Sequence, residues 1–114
     1  MMNIKQWIYL GVIAGGLFLS FSAASADEEI YAVSIKDHQF SPAELKIPAN
    51  SKVKIIVENQ DQTAEEFESY DLNREKVVTG NGKITIFIGP LKSGIYKYFG
   101  EFHKDSAQGV IIVE

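Results

Sequence analysis

The apolar positions of this chain fall into two regimes. From Trp7 to Ser22 they run almost without interruption (WIYLGVIAGGLFLSFS). Beyond Asp27 they alternate with polar ones in short bursts. Ile30 to Lys36 alternates, and so does Leu45-Lys46-Ile47 up to Pro48. Lys52 to Asn59 puts Val53, Ile55 and Val57 on one face, and Lys83 to Ile88 does the same with Ile84, Ile86 and Ile88. Gly94 to Phe99 sets Tyr96 and Tyr98 together, as core residues, and Val110 to Val113 closes the pattern. Period-2 runs rich in β-branched and aromatic residues predict strands. Turn chemistry separates them at Ser41-Pro42, Pro48-Ala49-Asn50, Gly89-Pro90 and Ser93-Gly94, and Gly80-Asn81-Gly82 reads as a hairpin turn. No window after residue 26 carries a convincing helical period, although Ser69 to Lys76 has room for one helical turn. Seven or eight short strands in one domain predict an all-β sandwich or barrel.

The uninterrupted apolar run belongs to a different kind of segment. Lys5 precedes it, and Ala24-Ser25-Ala26 follows with small residues where a signal peptidase reads. That order predicts a secretory signal over residues 1–26, removed to leave a domain of residues 27–114. The competing reading is an uncleaved anchor. Trp7 to Ala26 is just long enough to span a bilayer, but Gly15-Gly16 and Ser20 weaken it as a permanent span. An exported domain with no membrane span after cleavage, hence periplasmic, is the expectation. With no cysteine in the chain, neither disulfides nor a lipid on cysteine can hold it, and a small secreted core must rest on packing or a metal.

Charge narrows the partners. The net charge is −4, and cleavage would remove a single cation, Lys5. An acidic domain without a basic stripe gives no support to nucleic acid as a partner and suits cations better. Hydrolase chemistry finds little here: no Cys, no GxSxG, no phosphate-cradling glycine motif, and only two histidines, His38 and His103. What remains is carboxylate and imidazole in two stretches, TAEEFES (Thr63–Ser69) and GEFHKDSAQG (Gly100–Gly109).

These stretches carry a resemblance. FSPAELKIPANSKVKIIVENQD, then TAEEFES, EKV, GPLKSGIYKYFGEFH and AQGVIIVE together resemble a cupredoxin. Among cupredoxins they resemble most the EfeO-type domains of bacterial periplasmic iron-uptake systems. The match covers nearly all of residues 27–114, and it implies a cupredoxin-like Greek-key β-sandwich or barrel. It implies a metal ion, copper or iron, as cofactor or cargo, and an iron permease or other periplasmic iron-uptake component as partner. Asn50 stands where many relatives have glycine, which Asn can replace because it too enters positive φ.

Carried onto this sequence residue by residue, the blue-copper pattern is mostly missing. Glu65 takes the first histidine position, Gly100 the cysteine position and His103 the second histidine position. The axial methionine position falls on Ala107 or Gln108. Without thiolate there is no blue type 1 copper site, and carboxylate with imidazole suits Cu(II), Fe(II), Fe(III), Mn(II) or Zn(II). Strand alternation turns Glu65 inward with Phe67 and leaves Glu66 and Glu68 outward, unless a bulge exchanges Glu65 and Glu66. The candidate metal residues are therefore Glu65, Glu66, Glu101, His103 and His38. Glu101 would point outward on an unbroken strand, and His38 is either a second imidazole or an exposed turn residue. Three functions compete: a metal-binding module assisting a permease, a copper-dependent ferroxidase-like activity, and a metal-free interaction domain that kept only the barrel.

Overall fold

The computed structural model describes residues 28–114; the predicted signal segment lies outside the described residues. Nine strands occur among the described residues: β1 (Glu29–Lys36), β2 (Gln39–Ser41), β3 (Glu44–Ile47), β4 (Val53–Asn59), β5 (Glu65–Ser69), β6 (Arg74–Val78), β7 (Lys83–Ile88), β8 (Gly94–Gly100) and β9 (Gln108–Val113). A single 3₁₀ turn, Glu101–His103, separates β8 from β9. The strands form two sheets, in the orders β2-β1-β4-β7 and β3-β9-β8-β5-β6. Pairing is antiparallel except for β1 with β4 and β3 with β9. The expected all-β sandwich is thus observed, with nine strands among the described residues where seven or eight were predicted.

Alternation decides what each strand buries. Val33 and Ile35 of β1, Val53, Ile55 and Val57 of β4, and Ile86 and Ile88 of β7 face Phe67, Tyr98, Ile111 and Val113 of the other sheet. Tyr98 lies at the centre, stacked on Phe67 at 4.8 Å between centroids and edge-on to Phe40 at 4.9 Å. Its ring passes over Gly109, the residue opposite it on β9, where a side chain would come within 2.4 Å of the ring. The Tyr98 hydroxyl is the one buried side-chain polar atom without a partner among the described residues, and burial pushes its pKa up to about 12. Tyr96, expected in the core, is only partly buried and donates its hydroxyl to the Lys92 carbonyl.

Two sequence expectations are corrected. Ser69–Lys76 holds no helix: Tyr70–Asn73 is a turn closed by the Asn73 amide on the Tyr70 carbonyl, and Arg74 starts β6. Gly80-Asn81-Gly82 does turn the chain, with Asn81 at φ 59°, but it joins no hairpin. It carries the chain from β6 in one sheet to β7 in the other. Asn50, as expected, has positive φ, 61°.

Candidate metal centre

Glu65 opens β5, and the alternation of that strand sends Glu65, Phe67 and Ser69 inward. The Glu65 residue is 1% exposed. A buried carboxylate is costly unless hydrogen bonds replace its water, and here they do. Its Oε1 accepts the backbone N–H of Phe102 at 2.8 Å and that of Glu66 at 2.9 Å, and its Oε2 lies 2.7 Å from His103 Nδ1. The carboxylate acts as acceptor at both oxygens, so the hydrogen of this last contact belongs on Nδ1. Two of these donors, Phe102 and His103, come from the loop after β8, whose neck is closed by the Gly100 amide on the Ala107 carbonyl and the Ala107 amide on the His103 carbonyl, both 2.8 Å.

Gly100 explains why a carboxylate fits there. A Cβ on Gly100 would stand 2.6 Å from Glu65 Cδ and 2.7 Å from Ala107 Cβ, closer than such atoms ever come. The place where the sequence resemblance puts a copper-binding sulfur is thus filled by the Glu65 side chain. Of the two axial candidates, Ala107 is the fully buried one. Gln108 is exposed and donates its side-chain amide to the Lys104 carbonyl. Ala107 offers no donor atom, so this barrel end does not fit a blue-copper centre.

His38 comes from the turn between β1 and β2, where Asp37 and His38 both have positive φ, 52° and 59°. Two such residues make the tight turn whose twist suits a hairpin. Asp61 holds it: its carboxylate accepts the backbone N–H of Asp37 at 2.8 Å and of His38 at 2.9 Å, and stands 3.4 Å from His38 Nδ1. The His38 amide foremost, helped by the Asp37 amide and the two imidazoles and opposed by burial, holds the Asp61 carboxyl below its ordinary value of 3.8. The turn lays the His38 ring on that of His103, centroids 3.6 Å apart and planes 10° from parallel. Glu65, His103 and His38 are thus gathered at one end of the sandwich.

Glu66 and Glu101 are not gathered there. Glu66 points outward, its carboxylate oxygens within 4.8 Å of those of Glu68 and Glu75. Glu101 pairs with Lys104 at 3.4 Å. The structure adds two residues that entered the sequence reading only within the stretch FSPAELKIPANSKVKIIVENQD, Asn59 and Asp61. The buried Asn59 amide donates to the carbonyls of Thr63, Val78 and Thr79, and its oxygen accepts the Asp61 N–H. Together they fix the segment leading into Glu65 and the turn presenting His38. The spacing was visible in the sequence, but not the turn it would reach.

A family model described as a cupredoxin-like domain matches residues 9–113. An uncharacterised protein of Rickettsia prowazekii (strain Madrid E) is 51% identical over 81 residues, which are 71% of this chain and 65% of that protein. This chain therefore spans about two thirds of that relative. Among solved structures, auracyanin A, a "blue" copper protein of Chloroflexus aurantiacus, superposes with a TM-score of 0.66 at 14% identity, over 77% of this chain and all of that one. A purple cupredoxin from Nitrosopumilus maritimus gives 0.57 at 20% identity, over 74% and 99%. Amicyanin from Paracoccus versutus gives 0.59 at 19%, over 81% and 86%. At these identities the three likenesses speak to the fold.

Proposed function

The chain belongs to the family of cupredoxin-like domains, and from that premise we propose that it is a cation-binding cupredoxin-like protein without a blue-copper site. In this reading it works outside the cytoplasm, as a binder or redox helper beside an iron or copper permease. One observation carries the binding: a buried carboxylate and two imidazoles, Glu65, His103 and His38, converge at one rim. Their chemistry suits borderline cations such as Cu(II) and Fe(II), with Cu(II) binding most tightly in vitro. The signal-like first 26 residues support export. The EfeO-type text of TAEEFES and GPLKSGIYKYFGEFH supports an iron-uptake setting.

Among the described residues every core residue lies between Val33 and Val113, so residues 27–114 carry the whole described sandwich and serve for the test. Calorimetry with Cu(II), Fe(II) and Fe(III) should show about one ion per chain at micromolar concentration, and His103→Ala should abolish it, since both the contact with Glu65 and the imidazole stack run through His103. Absence of binding by all three overturns the proposal.

A second reading has one observation in its favour. The Glu65 carboxylate is already satisfied by two amides and His103, as a purely structural hydrogen bond would be in a metal-free interaction domain. In that case Glu65→Ala with His103→Ala would leave the organism's metal uptake unchanged. Under the first reading the double variant abolishes it.

A further inference from the structure

The manner in which His103 is held bears on which of its nitrogens can meet an ion. We propose that the cation is taken from the solvent side, by Nε2 of His103 and Nε2 of His38, with Glu65 and Asp61 behind them as positioning residues rather than ligands. The inference rests on the cation-binding reading above and specifies its site.

The inner side of His103 has no room. Its Nδ1 stands 2.7 Å from Glu65 Oε2, a hydrogen-bond distance. Two donors of one tetrahedral ion, with metal–ligand bonds of about 2.0–2.1 Å, stand roughly 3.3 Å apart. Glu65 cannot withdraw to make space, because its other oxygen is fixed by the Phe102 and Glu66 amides. The neighbouring space is so full that even a methyl on Gly100 would collide with the carboxylate.

The outer nitrogens are in the opposite condition. Among the described residues neither Nε2 has a hydrogen-bond partner in the protein, and neither is buried, since the Tyr98 hydroxyl alone is both buried and unpartnered. The two side chains are 41% and 30% exposed, His38 the more. Each imidazole has its Nδ1 turned to a carboxylate, His103 to Glu65 at 2.7 Å and His38 to Asp61 at 3.4 Å. For His103 this is how metal-bound histidines are held: the ring nitrogen away from the metal donates to a carboxylate, which fixes the tautomer and leaves the lone pair on the other nitrogen, whereas His38 stands at ion-pair distance from Asp61. Parallel rings direct their in-plane lone pairs side by side, so one shared ion requires the stack to open. His38, on its two-residue turn, is the ring that tilts, while His103 stays tied to buried Glu65. An ion held this way sits at the surface, where it can be passed on.

The test is long-range ¹H–¹⁵N NMR of the imidazoles in ¹⁵N-labelled residues 27–114, titrated with Zn(II). Without metal, His103 should be the tautomer protonated at Nδ1. With Zn(II), the Nε2 resonances of both His103 and His38 should move to ligated positions while His103 Nδ1 keeps its proton. Glu65→Gln should alter the His103 tautomer ratio and weaken Zn(II) binding by roughly 10–100-fold, the effect of losing an outer-sphere partner. A ligated His103 Nδ1, or a His38 ring that does not respond, overturns this inference and leaves the cation-binding reading intact. No Zn(II)-dependent change in either ring, together with silent calorimetry, overturns both.

Discussion

At Gly100 a hydrogen in place of a side chain settles what the end of the sandwich can hold. The residue lies opposite Phe67, and the space its Cβ would take belongs to the Glu65 carboxylate and the Ala107 methyl. Since Glu65 is tied at both oxygens, the collision cannot be relieved by turning one flexible side chain. Gly100→Ala should therefore destabilise the fold by about 1–3 kcal/mol, the usual cost of over-packing a filled core. It should also loosen the His103–Glu65 contact. The urea midpoint measures the first effect, and an unchanged midpoint would mean that Glu65 has room to move. The same reasoning joins two features that the sequence left apart: the absent cysteine and the inward glutamate are one substitution in space, although 35 positions apart in the chain.

Among the elements, β6 and β7 show how the sandwich is closed along one side. They are the edge strands of different sheets, and side chains reach across where no backbone ladder does. Arg74 Nε donates to the Phe87 carbonyl at 3.0 Å, and Lys76 Nζ to the Thr85 carbonyl at 3.3 Å. Charged residues on an edge also deter pairing with other chains. Arg74→Ala should lower stability by about 1 kcal/mol, the net worth of such a hydrogen bond, read as a fall in melting temperature. Because the acceptors are carbonyls, the loss should change little with salt; a loss that vanishes at high salt would mean ion pairing instead. This seam also shows where the sequence was silent. Strands β1, β4, β7 and β9 were legible because burial imposes a two-residue period on β-branched residues. In β6 only Val78 is buried, so no period marks it, and pairing with β5 alone makes it a strand. Glu65 was legible as inward by its alternation with Phe67. The His38–His103 stack was not, because it depends on how a β1–β2 turn meets the loop after β8, which no local pattern encodes.

At the scale of the whole molecule, three acids share one outer face. Glu66 and Glu68 point outward from β5, and Glu75 of β6 lies directly opposite Glu68. A hydrogen bond with Glu75 first, then burial and the charges of Glu75, Glu68 and Glu101, raise the Glu66 pKa above its ordinary 4.5. Burial first, then the charge of Glu75, raises that of Glu68. A carboxyl whose pKa is higher in the folded protein than in the unfolded chain stabilises the fold while protonated, and that contribution is lost as pH rises through the folded value. Asp61 acts in the opposite sense. Its lowered pKa contributes above the ordinary carboxylate range, and the contribution is lost as pH falls through the folded value. The two trends place maximal stability in mild acid, between the titration of Asp61 below and that of Glu66 and Glu68 above. Glu75→Gln removes the charge common to the face, so it should raise the melting temperature at pH 7 and change it much less at pH 3, where protonation of Glu66 and Glu68, both held above the ordinary value, has removed the like charges facing position 75. Melting curves from pH 3 to pH 8 test this directly. An equal shift at both ends of the range would trace the effect to packing at position 75 and remove like-charge repulsion as the feature shaping this face.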